Sequence, residues 1–422
     1  MQKIRMKGFK ELTTINNALK MVLENILPPK IDSEIVYVEE SAYRISYEDI
    51  VSEIDVPPFD RSAVDGYAVI SSDTLSASIT NPISLKIVGE IQAGINIKEI
   101  SAINHGEAAI IYTGAPLPLN SDAVVMAEDA NYKENFVEIT KSVSPYQNVS
   151  KKGEDFNKNK KIISKNTLIK PWHIGALVSA GIKKIKVQRP LKVAILSTGN
   201  EITEARDYEN YKVINSTKPM LKSLISSIGC QTIDLGTVND DVNLIAERIN
   251  FGLKISDMII TTGGTSIGNY DLVSDAVEKI NDSKILFSGV RMRPGKPTSA
   301  AIANRKPIFM VSGFPVAALA AFLSFISPTI NFMRNTKEEP MPIIKGKITR
   351  RIANIAGVKT YLRVKIYRKD GSTYVEPLAI TASGVLSTLT EANGLLIMNE
   401  NIEGYDLGDE VEAVAISPII DL

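Results

Sequence analysis

The sequence predicts a multi-domain chain built around a doubly wound, mostly parallel α/β domain, with β-rich segments before it and a small β-barrel after it. Three observations predict this. From Pro190 to about residue 335, apolar strand-like runs alternate with amphipathic helical runs, which is the pattern of repeated βαβ units. Before that, Asp55 to Asp129 holds short β-rich runs set off by Gly, Pro and Asn. After Asn335 only short strand-like runs follow. A length of 422 residues also exceeds what one ordinary core organises.

Taken in order, Thr13 to Leu27 reads as an amphipathic helix with Ile15, Leu19, Val22 and Leu23 on one side and Pro28-Pro29 as its stop. Strands are expected at Ser84 to Val88, Ala108 to Tyr112 and Ala123 to Met126. The Lys-rich run from Lys151 to Lys161 reads as a solvated hairpin tip. Leu191 to Ser197 is a continuous apolar run of the kind buried on both faces. Thr217 can cap a helix that carries Leu221, Leu224, Ile225 and Ile228 and closes at Gly229. A short strand at Ile233 to Leu235 precedes Asp240, which can cap a helix bearing Leu244, Ile245 and Ile249. Asp257 to Thr262 is another buried strand. Leu272, Val273, Ala276, Val277 and Ile280 form a helical face, and Ile308 to Ser312 leads into the last helix. KEEPMP then reads as a linker into the barrel or sandwich.

Composition excludes several classes. Lys plus Arg and Asp plus Glu each number 48, so no global basic excess exists to hold a nucleic acid or an anionic membrane. Any anion site must be local. One cysteine, Cys230, excludes a disulfide framework within the chain and fits a reducing cytosol. Two histidines, His105 and His173, argue against a His-rich zinc or iron site. The start, MQKIRMKGFK, lacks the apolar stretch of a signal peptide. Phe309 to Met333 carries no charge, but Gly313, Pro315 and Pro328 are expected to break it. It reads as a buried strand and a buried helix, not a membrane span.

In an open α/β sheet, ligands bind beyond the carboxyl ends of the strands. The unusual residues collect there. The first strand runs into Ser197-Thr198-Gly199-Asn200-Glu201, and the second leads toward Asp240-Asp241. The third ends in Thr262-Gly263-Gly264-Thr265-Ser266-Ile267-Gly268, with Asp271 just after. Further loops hold Arg291, Arg293, Pro294, Gly295, Lys296 and Pro297, and Ser312-Gly313-Phe314-Pro315. Together they offer N–H groups and cations for an anion, and carboxylates for a divalent metal. Standard phosphate motifs do not fit. Gly289 to Lys296 has the wrong glycine spacing for a P-loop and Pro297 in place of its Ser/Thr, and Gly263 to Gly268 has Thr at the third Rossmann position.

The run Pro57-Pro58-Phe59-Asp60-Arg61-Ser62-Ala63-Val64-Asp65-Gly66-Tyr67-Ala68-Val69 resembles the signature of the MoeA family, the molybdopterin molybdenumtransferases, shared by the C-terminal domain of gephyrin. Tyr112 to Pro116, Lys152 to Asp155, Leu196 to Gly199, Thr262 to Asp271 and Arg293 to Pro297 follow in the family's order. The resemblance implies four domains: residues 1–54 with 141–186, an inserted β-rich domain over 55–140, the α/β domain over 187–335 and the barrel over 336–422. It implies a homodimer, cytoplasmic location and Mg²⁺-assisted insertion of molybdate into adenylated molybdopterin with release of AMP. It also implies the upstream adenylyltransferase as a partner.

The same resemblance assigns Asp65, Glu201, Asp240 and Asp271 to catalysis, the last three also to Mg²⁺. To substrate binding it assigns Thr113 and Asp155 of the early domains, and Ser197, Thr198, Gly199, Gly263, Gly264 and Ser266 of the α/β domain. Gly295, Lys296 and Pro297 match the anion loop, joined by Arg363 and Ser383 from the barrel. There are departures: Phe314 stands where the family has Asn, Asn200 where it has Asp, and Ala317 where Ser is frequent. Two other readings stay open. A molybdopterin adenylyltransferase shares the α/β module but would not need the Asp65 segment or the barrel. A scaffold that kept the fold would not need the carboxylates or Lys296.

Overall fold

A computed structural model describes residues 12–204, 211–264, 272–378 and 383–421. Ser266 and Asp271 lie outside the described residues. The chain forms two compact units, one from residues 33–188 and one from the flanking segments, up to 32 and from 189 onward.

In the second of these, six strands form one sheet in the order Gln231–Val238, Lys192–Thr198, Met258–Thr262, Lys306–Val311, Ser299–Ala303, Ser283–Ser288. The first four run parallel, and the last two add an antiparallel hairpin. Alternation along each strand sends residues to opposite faces. Val193, Ile195, Met258, Ile260 and Phe309 face one core with helix Thr217–Ser227 and the helical run from Pro315. Ala194, Leu196, Ile259, Ile308 and Met310 face the other, with helices Val242–Ile255 and Leu272–Glu278. Both faces are therefore covered, as a doubly wound sheet requires.

Several expectations are corrected. Helix Ile15–Asn25, which the resemblance counts within the domain of residues 1–54 and 141–186, buries Ile15, Ala18 and Val22 in the α/β core beside Val290 and Phe325. Its amphipathic pattern demanded a buried face but did not say against what. Thr217 does not cap its helix; it is the first helical residue, and its hydroxyl donates to the Gly313 carbonyl. Asp241, not Asp240, caps Val242–Ile255, accepting from the N–H groups of Asn243 at 2.8 Å and Leu244 at 3.0 Å. Pro328 does not end the last helix. A π-helical turn, Phe322–Ile326, comes just before it and absorbs the ring, so the run continues to Arg334. Pro315–Arg334 is long and apolar enough to cross a membrane by length and composition, but 67% of its most apolar window is buried within the chain.

Five strands, Ile343–Ile348, Lys359–Lys369, Ser372–Pro377, Gly394–Met398 and Glu410–Ala415, close into the C-terminal barrel. Ile348, Leu362, Val364, Ile366, Leu396 and Val411 fill it. The short strand Met292–Arg293 joins the barrel by pairing with Lys359–Thr360, and Ser324 Oγ meets Tyr361 OH at 2.7 Å. The barrel is thereby tied to the α/β module.

Residues 33–188 hold a curled six-stranded sheet in the order Ala123–Met126, Gly66–Val69, Glu107–Ile111, Ile83–Ile91, Phe136–Ile139, Ala130–Lys133. A second cluster forms where Ser33–Tyr37 pairs with Lys184–Gln188 and Ile50–Val51 with Lys161–Ile163. Val38, Ile169, Leu177 and Val187 are its core. The sheet is thus inserted between two stretches that fold together.

Candidate functional site

The parallel strands deliver Ser197, Thr198 and Thr262 to one edge, where a cavity of about 540 Å³ opens. Those three residues line it together with Gly263 and Gly264. From the loop and ribbon after the first strand come Glu201, Ile202 and Val213 to Ser216. From the turn after Lys306–Val311 come Ser312 to Pro315, and the barrel adds Gly384. Two helices, Thr217–Ser227 and the run from Pro315, begin at this cavity, since Ser216 and Pro315 both line it. Helix N-termini carry partial positive charge and favour anions.

The tightness of the floor explains its glycines. Gly263 has φ +88°, and a Cβ there would lie 2.3 Å from the Thr198 carbonyl oxygen. Gly264 has φ +66°, and a Cβ would lie 2.7 Å from Thr198 Oγ1. That Oγ1 is buried without a hydrogen-bond partner among the described residues. An unpaired buried hydroxyl costs about 1–3 kcal/mol, so a ligand atom that paired with it would recover stability.

Behind the floor runs a polar network that sequence reasoning missed. Ser197 Oγ contacts Thr262 Oγ1 at 2.9 Å and accepts from Asn215 Nδ2 at 2.9 Å. Asn215 also reaches Glu204 at 3.4 Å. Lys218, buried on its helix, bonds Glu204 at 2.7 Å and Asp234 at 3.1 Å. Burial pushes the Glu204 carboxyl up, but Lys218, Thr237 and Asn215 together hold it below its ordinary value. The only sequence signal was a lysine beside Thr217 and Leu221 on a helix face otherwise turned inward.

The carboxylates of this edge are open. Glu201 is exposed and lines the cavity. Its oxygens curl over Gly199, 2.8 Å and 2.9 Å from where a Cβ would stand. Asp240, also exposed, exchanges contacts with the adjoining residue: its Oδ2 accepts from Asn200 N at 3.4 Å, and Asn200 Oδ1 accepts from Asp240 N at 3.1 Å. No group of three metal-ligating side chains forms among the described residues. Two exposed oxygen donors on adjoining loops still fit Mg²⁺, which takes one or two carboxylates and fills its shell with water and phosphate.

Lys296 is exposed on the loop between Ser283–Ser288 and Ser299–Ala303, at the same sheet edge but outside the cavity lining. Gly295 has φ +110°, and a Cβ there would approach Met292 Cε to 2.4 Å. The carbonyl of Lys296 accepts from Val290 N at 2.9 Å, and that of Pro297 from Ser299 Oγ at 3.1 Å. Arg363 is buried, its Nε donates to Thr388 Oγ1 at 3.1 Å, and desolvation lowers its pKa. Ser383 accepts through its carbonyl from Val316 N at 3.1 Å, which fixes Gly384 beside the cavity.

In the unit of residues 33–188, the structure brings Asp65 and Thr113 together. Asp65 Oδ1 accepts from Thr113 N at 2.7 Å and Thr113 Oγ1 at 2.8 Å. These two bonds, the backbone one first, hold the carboxyl below its ordinary value. The Asp-Gly pair is no simple turn: Gly66 opens a strand, and a Cβ on it would strike Val125 O at 1.9 Å. Asp155 is exposed, and its N–H donates to Val56 O at 3.1 Å.

Comparison with known proteins agrees with this layout. Family models match in chain order: MoeA N-terminal region (domain I and II) over residues 13–181, a probable molybdopterin binding domain over 194–331, and MoeA C-terminal region (domain IV) over 345–416. A putative molybdopterin biosynthesis protein of Methanocaldococcus jannaschii is 38% identical over 96% of this chain and 99% of its own length. A molybdopterin molybdenumtransferase of Bacillus subtilis is 30% identical over 91% of this chain and 90% of its own. The crystal structure of a molybdopterin biosynthesis MoeA protein from Pyrococcus horikoshii OT3 superposes with a TM-score of 0.83 at 30% identity, covering 96% of this chain and all (100%) of that one. Fold and matches together define a protein of molybdenum-cofactor biosynthesis. More specifically, the chain belongs to the MoeA family.

Proposed function

We propose that this protein inserts molybdate into adenylated molybdopterin, releasing AMP and forming molybdenum cofactor. In this reading it works as a cytoplasmic homodimer that receives its substrate from an adenylyltransferase. The observation that carries the reading is the cavity at the strand ends. It joins two helix N-termini, the Thr198 hydroxyl, unpaired among the described residues, and an open carboxylate, Glu201. A dianionic phosphate suits the helix ends and the hydroxyl. The carboxylates would repel it unless a cation intervened, so Glu201 and Asp240, with Asp271, would hold Mg²⁺. When bound, Mg²⁺ neutralises charge on the phosphate oxygens.

The remaining residues orient the substrate. Ser197, held by Asn215 and Thr262, presents a hydroxyl whose direction is fixed before the ligand arrives. Lys296 and the loop around it offer fixed positive charge for molybdate, a compact dianion that needs donors and not apolar contact. Asp65 keeps its negative charge across neutral pH because Thr113 stabilises that form. The test is direct. Purified protein given adenylated molybdopterin and Mg²⁺ should release AMP on addition of molybdate. Formation of adenylated molybdopterin from molybdopterin and ATP would instead indicate an adenylyltransferase.

A further inference from the structure

The cavity has an apolar side that phosphate chemistry does not use. Phe314 lines it with 56% of its surface exposed, although the rest of its turn, Ser312 to Pro315, is small or polar apart from the proline. From the ribbon Ile202–Thr203 with Val213–Ile214 come more apolar side chains. Val213 is 60% exposed and Ile214 42%, and both line the same cavity. Ribbon and turn flank the end of Met258–Thr262, because their parent strands sit on either side of it in the sheet.

Phe314 is also held in place. A Cβ on Gly384 would lie 2.9 Å from Phe314 Cδ1 and 3.2 Å from Cε1, so only a glycine leaves room for the ring there. The hydrogen bond from Val316 N to Ser383 O pins that glycine against the turn. A ring packed against Gly384 and an apolar ribbon thus line one cavity that also has a polar floor. The occupant that matches is flat, carries π faces and bears an anionic tail for the floor.

We propose that Phe314 stacks on a planar nitrogen heterocycle of the substrate, with Val213 and Ile214 on the ribbon completing the apolar side of the cavity. Phe314 is thus a specificity residue that adds an aromatic contact to the polar floor. The proposal rests on the function proposed above, whose substrate carries two such rings, a pterin and an adenine. Aromatic stacking on a base typically contributes about ten-fold or more in affinity.

The experiment titrates the wild-type protein and the variants Phe314→Asn, Phe314→Leu and Phe314→Tyr with AMP, and separately with a free pterin lacking the nucleotide. Affinity is read by calorimetry, and the shifts of ligand ring protons by NMR. Wild type and Phe314→Tyr should bind alike and move the ligand's ring protons upfield. Phe314→Asn and Phe314→Leu should bind about ten-fold more weakly and lose that shift. A loss confined to AMP assigns the stacking to adenine, and one confined to the free pterin assigns it to the pterin. Equal binding by all four proteins in both arms overturns the proposal, as does Phe314→Leu matching Phe314→Tyr. If wild type binds and releases AMP from the adenylated pterin while the variants bind equally, only the Phe314 assignment fails. If wild type binds neither probe and shows no turnover, the functional reading fails with it.

Discussion

Two carboxylate sites in this chain are built in opposite ways. Asp65 is tied down by two hydrogen bonds to one neighbour, Thr113. Glu201 and Asp240 are exposed, and among the described residues Asp240 has one long contact through its carboxylate, to Asn200 N at 3.4 Å. A tied carboxylate can be structural as well as functional. An open one contributes little to folding, so its chemistry can be separated from stability. The two sites therefore call for different substitutions.

The largest effect should come from the open pair. Glu201→Gln or Asp240→Asn should lower molybdate-dependent AMP release by about 100-fold or more, because the site would lose a ligand of the Mg²⁺ proposed to offset phosphate charge. The melting temperature should move by no more than about 2 °C, as for exposed loop positions. A large fall in melting temperature would instead make these residues structural and erase the contrast with Asp65.

Asp65→Asn sharpens the comparison next. Both Thr113 bonds fall on Oδ1. An asparagine oxygen can accept the same two, so only the charge and the second oxygen are lost. Turnover should fall by about ten-fold or more while melting is unchanged, since electrostatic contributions to reacting groups reach this size. Full activity would reduce Asp65 to a tie between two loops.

Lys296→Ala should raise the molybdate concentration needed for half-maximal turnover by about ten-fold, the usual scale for one charge-assisted contact. AMP affinity should change less. The reverse pattern would move Lys296 from the oxyanion to the phosphates.

The smallest effect separates neighbours. Asp241→Ala removes the helix cap and should cost about 1 kcal/mol in denaturant unfolding while leaving turnover close to wild type. Asp240→Asn should do the opposite.

That last pair shows where the sequence was legible. Buried parallel strands announce themselves as apolar runs, and their polar, Gly-rich ends mark the ligand edge, so Ser197, Thr198, Glu201, Gly263 and Gly264 could be placed together. Two adjacent aspartates before a helix look alike as caps, and only backbone geometry chose Asp241. The antiparallel hairpin Ser283–Ser288 with Ser299–Ala303 was missed because Ser-Ala-Ala-Ile-Ala has little β-branched character. The chain Thr262, Ser197, Asn215, Glu204, Lys218 and Asp234 draws on several separate elements, and no local pattern encodes it. Arg363 stands in a sequence run that says nothing of its burial, because its contact with Thr388 depends on how the barrel closes.

The central claim is that cleavage of the adenylated pterin and capture of molybdenum are one event at the strand-end cavity. The most direct measurement is the ratio of molybdenum recovered with the pterin product to AMP released, in a reaction of purified protein, Mg²⁺, molybdate and adenylated molybdopterin. The account predicts equal amounts of the two, both lost in Glu201→Gln. AMP released at full rate with no molybdenum in the product would contradict it.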